Sequence, residues 1–404
     1  MTDSPHKTSA RRPRIAALVT EYRKYSHGQN IVDRLMGGYG WESGWHYPEL
    51  DVVSLYVDQF PESDLSRERV ARYPDLEIYP TITEALRLGG DQLAVDGVLL
   101  IAEHGQYPKN EQGQTLYPRY EFFREIADIF RRSGRSVPVF CDKHLSWNWE
   151  WAREMVATSR QLGFPLMAGS SVPVSRRIPS IDLSWGAEIE EIVGIGVGGI
   201  DSYDIHALEG MQCLAERRRG GETGVVSIQA LRGDSVWQAL DAGAWGPFLF
   251  EACLCRSQSL TPADERNRHT YPAREDFPRL VESPPVAYRI EYADGLRATM
   301  LLLEGLVHDI TVAARIKGQR HPLSLLFYLG SGHGMQPNFF NPLCHHIETM
   351  IATGLPPYPV ERTLLTTGLS AAGVKSLWLG EKPLATPHLA ISYQVDNAST
   401  FRRT

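Results

Sequence analysis

The 404-residue chain is short of most features that would assign it a class at sight. It has no apolar run near the ~18–20 residues that a membrane span requires. It has no excess of positive charge. The formal net charge is −7, which excludes the broad basic footprint of a nucleic-acid binder. Cysteine is scarce, with five residues at 141, 213, 253, 255 and 344. An odd, scattered set excludes a disulfide framework. Cys253-x-Cys255 has no second pair to complete a zinc site, so both read as packing residues. Internal repeats and low-complexity segments are absent. The basic start, residues 1–13, reads as a disordered lead. Arg11-Arg12 precedes an apolar run at 15–19 that is too short for an export signal. What remains is ordinary for a globular protein, 43% hydrophobic and 22% charged,. The expectation is a cytoplasmic protein of two or three domains that meets small molecules, not nucleic acid or membrane.

The first 170 residues alternate apolar runs with helical patterns. Strands are predicted at 15–20, 52–57, 95–102, 136–140 and 164–168. Helices are predicted at 30–36, 65–73, 83–88, 120–132 and 147–161. Strands alternating with helices indicate βαβ units and a parallel sheet covered on both faces. After Pro173 the texture changes to longer extended stretches at 187–197, 224–231, 288–292, 297–304 and 310–316. These are joined by tight turns such as Ala293-Asp294-Gly295 and accompanied by helices at 203–217, 342–353 and 360–376. A polar stretch at 257–285 reads as a surface excursion.

The most informative run is Phe140-Cys141-Asp142-Lys143-His144. It ends a predicted strand and precedes a helix that leads to a strand closing in Gly169-Ser170-Ser171, read here as the interdomain turn. Ligands of open α/β sheets bind outside the carboxyl ends of the strands. A lysine there can shift its pKa and move protons. Glu103-His104 stands at another such end, and Asp58 at a third. His345 and His346 are adjacent on a helix, point to different faces and do not form a ligand pair. They read as structural, as do Trp147, Trp149 and Trp151. His333, in a glycine-rich stretch, reads equally as a substrate lid or a linker.

In order and motif the chain resembles the Gfo/Idh/MocA oxidoreductases, over residues 14–393. The anchors are the 139–144 run and Pro165-Leu166-Met167-Ala168-Gly169, where the family reads Glu-Lys-Pro, a helix and an apolar strand. A second anchor is the segment 201–208, where His206 matches the histidine of the family's Asp-Ile-Gly-x-His. The resemblance implies an α/β Rossmann-like N-terminal domain (14–172), an α+β C-terminal domain with an open antiparallel sheet (173–393) and a tail (394–404). It implies NAD or NADP as cofactor, a polyol, sugar or related hydroxy compound as substrate, and a homo-oligomer formed through the C-terminal sheet. Lys143 and His206 would be the acid–base pair. Asp204, Glu103, His104 and Tyr203 would shape the site, with Asp201 or Asp204 supplying the carboxylate.

The Gly-x-Gly-x-x-Gly fingerprint is missing. After the first strand the chain reads Thr20-Glu21-Tyr22-Arg23-Lys24-Tyr25-Ser26-His27-Gly28. Candidate cofactor contacts are therefore Thr20, Arg23, Ser26 and His27, with Glu103 on the nicotinamide side and Asp58 for the ribose. Arg23 would neutralise phosphate, and Ser26 would cap the helix. Negative charge at Asp58 would disfavour the 2′-phosphate of NADP. Two alternatives stand. One is a hydrolase, lyase or isomerase that has dropped the dinucleotide, with Glu103, His104, His144, Asp204 and His206 as a divalent-metal set. The other is a non-catalytic ligand-binding protein.

Overall fold

The structure is a computed structural model that describes residues 11–264, 266–267, 270–330 and 337–403. His333 lies outside the described residues. The first layer is a six-stranded parallel sheet made of β1 (Arg14–Val19), β4 (Asp51–Val57), β5 (Glu77–Ile78), β6 (Gly97–Ile101), β7 (Val139–Asp142) and β8 (Leu166–Gly169). Its order is β5-β4-β1-β6-β7-β8, the doubly wound order with its reversal between β1 and β6. The central strands are apolar and almost fully buried because helices cover both faces,. On one face lie α3 (Ile82–Arg87), α4 (Arg119–Ser133) and α5 (Trp149–Leu162), which present Ile82, Phe123, Ile126, Phe130, Met155 and Val156 to the sheet. On the other lie α1 (His27–Gly37), α2 (Ser66–Arg72) and, from far down the chain, α10 (Asn341–Thr353). Between α1 and β4 sits a small hairpin, β2 (Tyr39–Trp41) and β3 (Gly44–His46).

The second layer is an eight-stranded sheet in the order β16-β11-β12-β13-β10-β14-β15-β9. Its strands are β9 (Arg176–Ile178), β10 (Ile189–Gly196), β11 (Val225–Arg232), β12 (Val286–Tyr292), β13 (Arg297–Leu302), β14 (Ile310–Ile316), β15 (Leu323–Tyr328) and β16 (Leu384–Ala385). All neighbours are antiparallel except β10 and β13, which run parallel. Period-two alternation sends Ile192, Met300 and Val312 to one face and Val193, Leu301 and Ala313 to the other,. The first face packs on α6 (Asp204–Ala215) and α11 (Glu361–Trp378). The second is covered by α7 (Asp234–Asp241), α8 (Pro247–Arg256) and α9 (Phe277–Leu280), through Trp237, Leu249, Phe250 and Phe277, with Trp245 from the α7–α8 connection. The second face is thus covered within the chain itself.

Two expectations need correction. The boundary at 173 does not divide the cores, because Phe340, Leu343, Cys344, Ile347 and Met350 lie in the core of the first domain with Ile15 and Val52. The tail is not loose. Phe401 is buried against the Arg177 guanidinium, 4.1 Å from its ring centre, and Arg402 N–H donates to the Val174 carbonyl. No helix among the described residues is long and apolar enough to cross a membrane.

Candidate active site

The carboxyl ends of β1, β6 and β7 open toward the N-terminus of α6, and the titratable residues gather there. Lys143, the residue after β7, has φ +65°. That left-handed conformation costs a side-chain-bearing residue about 1–2 kcal/mol and is typical of a functional position. It aims the buried ammonium at three oxygen and nitrogen partners. Nζ donates to His206 Nε2 at 2.7 Å and to the Ser202 carbonyl at 3.2 Å, and it ion-pairs with Glu103 Oε1 at 3.1 Å. The Tyr203 ring lies over Nζ at 5.3 Å and edge-on to His206. It is half exposed and caps the pair from the solvent side.

The network fixes the protonation pattern. His206 Nε2 accepts from Lys143, so Nδ1 carries the proton and donates to Ser170 Oγ at 2.6 Å. Burial, and then the nearby Lys143 charge, push the His206 pKa well below its ordinary value. A neutral imidazole with a free-energy cost to protonation is thereby placed beside a cation. Burial alone would raise Glu103, but Lys143 and Arg119 reverse the sign and hold it well below the carboxylate range. Arg119 Nη2 donates to Glu103 Oε2 at 2.6 Å.

His104 follows Glu103, and its backbone N–H donates to Thr20 Oγ1 at 3.2 Å. Its ring lies 5.6 Å from that of His27. Burial and then the His27 charge lower its pKa to about 4. His27 Nδ1 bonds Asp142 Oδ2 at 2.7 Å. The first turn of α1 thus meets the end of β7, across the mouth of β1 and β6.

Several predicted residues have their polar atoms engaged by neighbouring groups. Asp204 turns inward. Its carboxylate accepts from Tyr288 and Ser370 hydroxyls at 3.1 and 2.8 Å, and burial raises its pKa. His144 has both ring nitrogens engaged, Nδ1 by Arg119 at 3.0 Å and Nε2 by the Asp201 carbonyl at 3.1 Å. Burial and then Arg119 lower its pKa to about 3. The set Glu103, His104, His144, Asp204 and His206 therefore does not converge on one point, because two members spend their ligand atoms on the scaffold. Asp201 is also a scaffold residue. It accepts from Thr115 N–H and Gln114 at 2.9 and 3.2 Å, and burial beside Asp204 pushes it up to about 7. Ser26 caps α1, accepting from Gln29 N–H at 3.1 Å. Arg23 pairs with Glu21. Asp58 stands exposed at the end of β4, accepting hydroxyls from Tyr56 at 2.8 Å and Tyr107 at 2.6 Å.

Two residues were missed. Arg119, at the first position of α4, carries no sequence signal that separates it from a surface arginine. Glu209 did leave a signal, as a carboxylate in a helix otherwise rich in apolar residues. It is buried one turn beyond His206, accepts from Ser170 N–H at 2.6 Å and from Thr363 at 2.6 Å, and is pushed up to about 7 by burial. It positions Ser170, and through Ser170 the His206 ring.

This geometry can be set beside solved structures. A myo-inositol dehydrogenase from Lactobacillus casei, solved with NAD(H) and myo-inositol, superposes with a TM-score of 0.56 at 12% identity, over 92% of this chain and 96% of that one. GenD2 from gentamicin A biosynthesis, solved with NAD, gives 0.58 at 11% identity over 95% and 99%. The myo-inositol 2-dehydrogenase from Lactobacillus plantarum gives 0.55 at 11% identity over 93% and 99%. The chain has the Gfo/Idh/MocA fold. No protein-family model and no curated protein sequence matches it, so at these identities the likeness to Gfo/Idh/MocA proteins is one of fold. Within that fold, helices α7 and α8 seal the outer face of the second sheet.

Proposed function

We propose that the protein is an NAD-dependent oxidoreductase that acts on the CH–OH group of a polyol, sugar or related hydroxy compound. The observation that carries this reading is the Lys143–His206 pair, 2.7 Å apart, beside the β1–β6 reversal where a doubly wound sheet receives a dinucleotide. The solved relatives of this fold that bind NAD, and in one case myo-inositol, support it.

The residues present fit a dinucleotide, although the fingerprint is gone. Gly28 takes the role of a close-packing glycine. A Cβ there would lie 2.9 Å from the Glu21 carbonyl and 3.3 Å from Val19. The backbone amides of His27 and Gly28 have no partner among the described residues, and a helix N-terminus with free amides attracts phosphate. Tyr22 does not block the crevice, because it is buried under α1 with its hydroxyl on Asp33. Thr20, Ser26 and His27 line the start of the crevice, and Arg23 adds positive charge. Asp58 would take the ribose hydroxyls and repel a 2′-phosphate. A bound nicotinamide supplies the hydride acceptor.

The protein's own part is to orient and deprotonate. Lys143 Nζ would donate to the substrate oxygen in place of the Ser202 carbonyl. His206 Nε2 would take the hydroxyl proton, with Ser170 and Glu209 holding the ring. Glu103 balances the charge of Lys143 and Arg119. Tyr203 would close over the substrate.

The test is a fluorescence titration of the purified chain with NADH and NADPH, followed by turnover assays on polyols. Saturable micromolar binding that favours NADH is expected. No binding up to millimolar cofactor would sink the reading.

A further inference from the structure

Away from the Lys143 cluster, three metal-ligating side chains meet where α10 crosses the β2–β3 hairpin. His345 and Glu348 lie three residues apart on α10 and so share a face. His46 ends β3. One ligand atom from each lies within 4.8 Å of the other two. His46 Nε2 and Glu348 Oε2 are already 2.6 Å apart. The second oxygen of Glu348 is fixed by the Glu49 N–H at 2.7 Å, and the His345 ring is fixed by stacking on Trp41, centroids 4.2 Å apart. The carboxylate and that imidazole are therefore oriented before any ligand arrives.

The second observation concerns His345 itself. Its Nδ1 is buried and has no hydrogen-bond partner among the described residues. A buried polar atom without a partner calls for an explanation, and a missing ion is one such explanation. Two imidazoles and one carboxylate form a borderline donor set. It suits Zn²⁺ and related divalent transition metals, whereas Ca²⁺ and Mg²⁺ seek oxygen alone.

We propose that His46, His345 and Glu348 form a site for a divalent transition metal of the Zn²⁺ class, which pins the hairpin to α10. The metal would replace the proton shared by His46 and Glu348 and release it to solvent. Its role is structural. Two-stranded hairpins of this size are marginal alone, and this one has three-residue strands. The site also joins a segment near the end of the chain to the first domain, in which α10 already packs.

The experiment uses the full chain, stripped by chelator and titrated with Zn²⁺ alone and with Co²⁺ alone. One equivalent is expected to bind with micromolar affinity, to raise the melting temperature and, for Co²⁺, to give visible ligand-field bands. Loss of an outer-sphere partner weakens metal sites about 10–100-fold, so His345→Ala and Glu348→Gln should weaken binding at least that much. His46→Gln, on the hairpin and outside the α10 packing, is the variant that keeps the test valid if the α10 variants fail to fold. Unchanged circular dichroism would show that the variants are folded. No saturable binding up to about 1 mM metal, or wild-type affinity in folded His46→Gln, overturns the proposal.

Discussion

At the scale of the residue, Lys143 combines three costs that a merely structural lysine avoids. Its φ is +65°, its side chain is only 5% exposed, and its ammonium faces an imidazole that burial keeps neutral. Lys143→Met removes the charge while keeping the volume. Positioned acid–base groups contribute about 10²–10⁴-fold to rate, so kcat/KM with NAD should fall by that amount. The dissociation constant for NADH should stay within a few-fold, since the proposed function puts Lys143 on the substrate side. His206→Asn, which keeps a hydrogen bond to Ser170 within reach, should lower kcat over the same range. Parallel kinetics and fluorescence titration check both. A loss of NADH binding equal to the loss of rate would reassign Lys143 to the cofactor.

At the scale of the element, the loop from β1 to α1 decides whether a dinucleotide fits, and Gly28 is its tightest point. The Cβ of Gly28→Ala would sit 2.9 Å from the Glu21 carbonyl, so α1 must shift away from β1. Overpacking of this kind costs about 1–3 kcal/mol. The expected result is a lower melting temperature together with NADH binding weakened by about tenfold or more; unchanged binding would place the dinucleotide elsewhere. That loop also shows where sequence reading runs out. The parallel strands were legible because burial on both faces leaves unbroken apolar runs, such as 97–101 between polar flanks. Lys143 and His206 were expected together because the resemblance carried them, and their side chains lie 2.7 Å apart. Helices α7 and α8 were not legible, since Gly233, Gly243, Gly246 and Pro247 punctuate their pattern. Asp204 and His144 were misplaced for a different reason. Sequence spacing puts them beside the site, but only the packing of Tyr288, Ser370 and Arg119 shows which way their polar atoms turn.

At the scale of the whole molecule, burial of titratable groups sets the acid limit of the fold. Burial lowers His104 and His346 to about 4 and His144 to about 3, and it lowers His206, His345 and His388 as well. In the unfolded chain these titrate near ~6.5. Burial acts oppositely on carboxyls, raising Asp201 and Glu209 to about 7 and lifting Glu125 and Asp204. The six histidines leave the unfolded state with extra protons, and the four carboxyls leave the folded state with extra protons. Between about pH 6.5 and 4.5 each lowered histidine removes stability as pH falls, because the unfolded state binds the extra proton, and each raised carboxyl does the reverse. His104, lowered to about 4, is one such histidine, so the melting temperature of His104→Asn should fall less than that of the unsubstituted chain on acidification from pH 6.5 to 5, and an equal fall would contradict the assignment of His104 as neutral.

The C-terminal segment is one of the features that tie the two layers together. Ser399 donates to Asp182 at 2.6 Å, Arg217 donates to the Asn397 and Ala398 carbonyls, and His346 on α10 reaches the Thr400 carbonyl at 2.7 Å. Phe401 then fills the space over Arg177, while Arg402 lies over Trp41 of the hairpin at 3.9 Å. The strap thus touches both the second sheet, through β9, and the elements of the first domain. Burying a phenylalanine contributes about 1.5–3 kcal/mol. Removing residues 395–404 would also strand the buried Arg177 and Asp182, side chains 2% and 8% exposed, with part of their cover gone. The truncated chain should unfold at least roughly 5 °C lower. Phe401→Ala should account for about half of that shift, because its loss leaves the hydrogen bonds at 397–400 in place. If differential scanning calorimetry instead finds the truncated chain as stable as the full one, the strap contributes no net stability, and the two layers are held together by their other contacts, those of α10 and α11 among them.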